Sequence, residues 1–133
     1  MKFFVTTALL LLSVVAFGQQ NKQEEEANKQ YQESIQDEIH HLEISLKLDD
    51  WQVFYLDSIM VHDYNAMRDE LMELQKAKVG NNDIYYDVQD KWNEQIYNSL
   101  HKVFDDAQWQ KYLKQGAQKA KKDRDKRLAK KNK

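Results

Sequence analysis

The chain runs for 133 residues without a proline and with only three glycines, and this shortage of turn-forming residues constrains its fold more than any other feature. A β-sandwich or barrel needs turn residues at roughly every eight to twelve positions, and nucleotide-binding α/β folds need Gly-rich loops to approach phosphates. Neither supply exists here, so helix is the expected state throughout. Zero cysteine excludes a disulfide framework, a thiol nucleophile, Cys-ligated zinc or iron–sulfur sites and a lipoprotein anchor. The length suits one small domain with an arm and a tail.

The first residues read as a secretory leader. Lys2 is a short positive start, Phe3 to Ala16 is an apolar run too short to span a bilayer, and Ala16 and Gly18 stand at the small-residue positions before a cleavage site. Cleavage between Gly18 and Gln19 is expected, which would make the mature protein periplasmic or secreted. The expected organisation is a leader at 1–18, a helical domain at 19–118 and a basic helical or disordered tail at 119–133.

Apolar spacing divides the rest into four helical segments. From Glu24 to Lys47, Tyr31, Ile35, Ile39, Leu42 and Leu46 make one narrow stripe, read as an amphipathic arm that lies against something without being enclosed by a core. From Asp50 to Lys78, Val53, Leu56, Met60, Tyr64, Met67, Leu71 and Leu74 share a face, with Phe54, Val61 and Met72 forming a second row roughly 110° round the helix. Trp51, Tyr55 and Ile59 make the first half of that segment apolar nearly all round. Gly80-Asn81-Asn82 supplies a turn with Asn82 as N-cap, and Asp83 to Val103 repeats the pattern through Tyr85, Val88, Trp92, Ile96, Leu100 and Val103, with Tyr86, Tyr97 and Phe104 off the main stripe. The fold class expected is all-α: a long helical hairpin with an N-terminal helical arm and a basic C-terminal tail.

One local signal occurs twice. Leu48-Asp49-Asp50-Trp51-Gln52 and Phe104-Asp105-Asp106-Ala107-Gln108 are both apolar-Asp-Asp-x-Gln. Each reads as a capping box: Asp49 or Asp105 caps the N3 amide, and Gln52 or Gln108 reaches back to the N-cap amide. Leu48 and Phe104 can staple to Val53 and Trp109, while Asp50 and Asp106 complement the helix dipole. Sharp corners are therefore expected between the first and second segments and between the third and fourth.

Two such corners separated by a long hairpin, in a small exported all-helical chain, resemble the LTXXQ-motif family of small periplasmic proteins, the Spy and CpxP group. Leu48, Asp49 and Gln52 match the first Leu-Thr-x-x-Gln and Phe104, Asp105 and Gln108 the second; Asp replaces Thr at both caps, and Phe replaces Leu in the second copy. The resemblance covers about residues 24–118 in layout. It implies a cradle-shaped antiparallel homodimer of the envelope stress response, binding unfolded or aggregation-prone proteins without ATP, with some members responsive to zinc.

The residues themselves suggest no enzyme. Glu38 and His41 give one Glu-x-x-His, whereas di-iron bundles need two and more carboxylates besides. His40, His41, His62 and His101 therefore read as solvated side chains, and no metal or other cofactor is expected. The carboxylate pairs Asp49/Asp50, Asp105/Asp106 and Asp69/Glu70 read as caps or exposed faces, and no serine sits in a nucleophile elbow. Trp51, Phe54, Tyr55, Val61, Met72, Tyr86 and Tyr97 lie off the core stripes and are the candidate partner-binding residues.

Charge is unevenly distributed. Residues 19–118 carry ten basic and twenty acidic side chains, whereas residues 119–133 carry nine basic ones against Asp123 and Asp125. The tail has little to bury and reads as solvated and fraying. Its expected partner is an anionic envelope surface or the acidic arm of a second copy; nucleic acid is not expected for an exported chain whose basic run is broken by aspartates. The leading expectation is a non-enzymatic binder of hydrophobic or unfolded protein surfaces, the alternatives being an adaptor with one fixed protein partner or a metal-responsive envelope protein.

Overall fold

In the computed structural model, residues 20–133 are described; the expected leader and its cleavage site lie outside them. Five helices follow in order: α1 (Gln20–Leu46), α2 (Asp50–Lys76), α3 (Asn82–Val103), α4 (Asp106–Tyr112) and α5 (Gln118–Lys131), the last two joined by a π-helical turn at Leu113–Ala117 into one bent segment. There is no strand among the described residues, and the fold is all-α with four helical segments. No described helix is long and apolar enough to cross a membrane.

Helices α2 and α3 form the hairpin, and α1 packs along α2. The five stripe residues of α1 are all buried, alongside Leu56 and Met60 of α2, Ile96, Leu100 and Val103 of α3, and Phe104 and Trp109 at the second corner. The expectation of an arm outside the core is thus corrected: α1 is a wall of the main core. Each of its isoleucines and leucines gains about 1.5–3 kcal/mol from burial, and a narrow stripe suffices because its polar flanks bond to α2. Tyr31 donates to the Tyr64 carbonyl at 2.6 Å, and the Gln32 and Asn65 amides donate to each other at 2.5 and 3.2 Å. Burial pushes the Tyr31 hydroxyl well above the ordinary tyrosine range, the nearby Arg68 opposing this, so it remains a donor. A smaller cluster of Met67, Leu71 and Val88, flanked by Trp92 and Tyr85, fills the far end of the hairpin.

Both α1 and α2 end with lysine in the left-handed region, at Lys47 (φ 52°) and Lys78 (φ 57°). The Leu48 N–H returns to the Glu43 carbonyl and the Val79 N–H to the Leu74 carbonyl, at 3.0 and 3.1 Å. These are Schellman endings with lysine where glycine is usual. The N-cap of α3 is Asn81, one residue earlier than expected, its Oδ1 accepting from the Asp83 N–H at 3.0 Å.

The tail is helical, one of the two states expected, but instead of standing free in solvent α5 lies along α3, held by charge. Glu94 pairs with Lys121 and, at 2.9 Å, with Arg124; Asp90 accepts both Nε and Nη2 of Arg127 at 2.8 and 2.7 Å; and Asp87 pairs with Lys131. Tyr97 lies under Lys121 and Arg124, about 5.6 and 5.4 Å from its ring centre. The bend that aims α5 at α3 is Gly116, at φ 122°, a conformation side-chain-bearing residues rarely adopt.

Candidate functional site

The two corners that the sequence marks separately are one structural unit. At the second, the Gln108 N–H donates to the Asp105 carboxylate at 2.8 Å and the Asp105 N–H to Gln108 Oε1 at 2.9 Å. At the first, the Asp49 N–H donates to Gln52 Oε1 at 2.9 Å and the Asp49 carboxylate faces the Gln52 N–H in the same box arrangement. The two glutamines also meet each other. Gln52 Nε2 donates to Gln108 Oε1 at 2.7 Å and to the Val103 carbonyl at 3.0 Å; Gln108 Nε2 donates to Gln52 Oε1 at 3.2 Å and to the Leu46 carbonyl at 3.3 Å. Each amide thus uses two donors and two acceptor positions, and each caps the last residue of the helix entering the other corner. Gln52, only 3 % exposed, is one of three buried polar or charged side chains among the described residues, and this full satisfaction makes its burial affordable.

From this fixed corner α2 rises with an apolar face turned outward. Trp51, Phe54 and Tyr55 are 55, 67 and 53 % exposed. Tyr55 lies edge-on to both neighbours, with ring centres 6.3 Å from Trp51 and 5.5 Å from Phe54, so the three rings form one patch. Their position on α2 explains the exposure: Gln52, Leu56 and Met60 take the inward face of the same turns.

The other candidates divide. Met72 and Tyr86 are exposed, near the opposite end of the hairpin. Val61 and Tyr97 are half-buried and pack against the main core; Tyr97 also meets Trp109 edge-on at 4.9 Å and is covered by the α5 cations. Sequence reasoning missed exposed Ile44, Ile84 and Leu128. Ile44 was detectable as the apolar residue of the first segment that misses its stripe.

The histidines disperse. His101 stacks on Trp109, ring centres 4.0 Å apart, His62 Nδ1 lies 2.8 Å from the buried Asp63 carboxylate, and His40 is near Glu43. Burial raises the Glu38 carboxyl above its ordinary range, with His41 opposing. Among the described residues no three His, Cys, Asp or Glu side chains are grouped as metal ligands would be. No family model, curated protein or solved structure matches the chain.

Proposed function

We propose that this chain is a non-enzymatic helical binding protein of the Spy and CpxP kind, which takes up hydrophobic or unfolded protein surfaces in the cell envelope without ATP. The observation that carries the reading is the exposed Trp51–Phe54–Tyr55 patch, three large rings held on the first turns of a helix whose start is fixed by the paired glutamines. Isolated exposed apolar residues are ordinary, but contiguous aromatic patches mark contact surfaces. Rigid rings lose little conformational freedom on contact and accept many apolar shapes, which suits a binder of varied clients. The twin motif adds support, since Asp49, Gln52, Asp105 and Gln108 all serve one joint. Residues 1–18 act as the export leader, and the working form is a homodimer.

The test is aggregation suppression. The purified protein should slow aggregation of several unrelated unfolding proteins without ATP, and F54S and Y55S together should reduce this at unchanged helicity. Val61 is half-buried against the main core, so its substitution would also disturb packing. A protein that protects none of them yet captures one partner from an envelope extract is an adaptor, and the proposal fails.

A further inference from the structure

Helix α5 sorts its cations into two faces. Lys121, Arg124, Arg127 and Lys131 turn inward, where Glu94, Asp90, Asp87 and the helix's own Asp125 balance them one for one. Lys119, Lys122, Lys126 and Lys130 recur at spacings of three, four and four; all are exposed, and none is in an ion pair among the described residues. They form a straight row roughly 16 Å long. The acid beside them is Asp123, half-buried and acting on Arg127. The outward face therefore keeps about three positive charges after the acidic helix beneath has been neutralised.

We infer that this lysine row is a docking surface for an anionic lipid bilayer, which lays α5 along the membrane while α3 holds it from behind. The choice of residue favours lipid. Both arginines of the helix face inward, Arg127 in two-pronged geometry on Asp90 and Arg124 through Nε on Glu94, and every outward cation is a lysine, a mobile point charge suited to fluid headgroups. The row has no large apolar companion, Leu128 lying nearly opposite it round the helix, so attachment is electrostatic, reversible and weakened by salt. The inward cations are engaged within the chain, which leaves the outer face for an external anionic partner.

Co-sedimentation with vesicles decides the matter. The protein should bind vesicles of phosphatidylglycerol and phosphatidylethanolamine at low salt, release at high salt, and ignore vesicles of phosphatidylcholine. Each lysine near an anionic surface is worth roughly a fivefold change in partitioning, so K119Q/K122Q/K126Q/K130Q should lose on the order of a hundredfold or more at an unchanged helical spectrum. The matched control K22Q/K29Q/K111Q/K114Q removes the same charge from exposed lysines elsewhere and should retain most of the binding. Equal loss in both quadruple variants would reduce the effect to net charge and overturn the proposal. So would binding to neutral vesicles at the same strength, no binding to anionic ones, or capture by poly-glutamate in their place.

Discussion

Gln52 and Gln108, fifty-six residues apart, close a cyclic amide pair in which Nε2 of each donates to Oε1 of the other, at 2.7 and 3.2 Å. Around this pair two helix starts and two helix ends are satisfied at once. Gln52→Glu is the sharpest probe, since a carboxylate has nearly the same shape but cannot donate to Val103 or to Gln108. It and Gln52→Ala should each cost about 2–3 kcal/mol in urea unfolding, from lost bonds and a stranded partner. The double change Q52A/Q108A should cost less than the sum of the single ones, by about 0.5–3 kcal/mol; strict additivity would show that the two corners are independent.

The caps make a separate prediction. Asp105→Ala removes the acceptor for the Gln108 N–H and should lower stability by about 0.5–2 kcal/mol, with Asp105→Thr recovering most of it. Asp49→Ala should behave alike. Unchanged urea midpoints for both alanine variants would contradict the capping role.

Backbone strain offers a third. Lys47→Gly and Lys78→Gly relieve left-handed lysines at Schellman positions and should raise stability by up to about 1 kcal/mol each, part of the relief being offset by the freer unfolded chain. Gly116→Ala should work the opposite way, opening the bend at φ 122° and freeing α5 from α3, visible as faster amide exchange across residues 118–131.

The α3–α5 contact should respond to pH in a defined direction. Burial works against the charged Glu94 carboxylate, but hydrogen bonds from Lys121 and Arg124 outweigh it and hold the group below its ordinary 4.5. Its contribution is therefore complete above that value and is lost as pH falls through the lower folded one. The hydrogen bonds from Glu94 and Asp125 raise Lys121 above its ordinary 10.5, so its share is complete below that value and fades as pH rises through the higher folded one. Protection of the α5 amides, taken relative to the intrinsic exchange rate at each pH, should be greatest between these limits and fall in acid before the α1–α2–α3 core opens. Removing residues 119–133 should barely shift the main melting transition, since Leu128, the one large apolar side chain lost, is exposed.

What was legible in the sequence follows from the range of each signal. Stripes such as Leu56–Met60 and Ile96–Leu100 repeat at helical spacing and announce both helix and buried face. The capping boxes were legible because all their partners lie within four residues. The Gln52–Gln108 pair was not, because each glutamine is already accounted for by its own box and nothing local marks a second use. The enclosure of the α1 stripe is not legible, because width along a helix says nothing of what closes over it. The docking of α5 rests on Asp87, Asp90 and Glu94 facing Lys131, Arg127 and Arg124 from residues thirty or more positions away, a charge match without periodic apolar trace.

The central claim is that Trp51, Phe54 and Tyr55 form a surface for unfolded protein. Its most direct measurement is calorimetric titration of the purified protein with a permanently unfolded polypeptide, such as a reduced and carboxymethylated secretory protein, and with the native form of the same polypeptide. The account predicts saturable, ATP-independent binding of the unfolded form alone, with a negative heat-capacity change from apolar burial. W51S/F54S/Y55S should bind at least about tenfold more weakly while its own melting is nearly unchanged, each lost ring being worth on the order of 1 kcal/mol or more. Equal affinity of the triple variant and the parent protein, or binding that does not distinguish unfolded from native polypeptide, would contradict it.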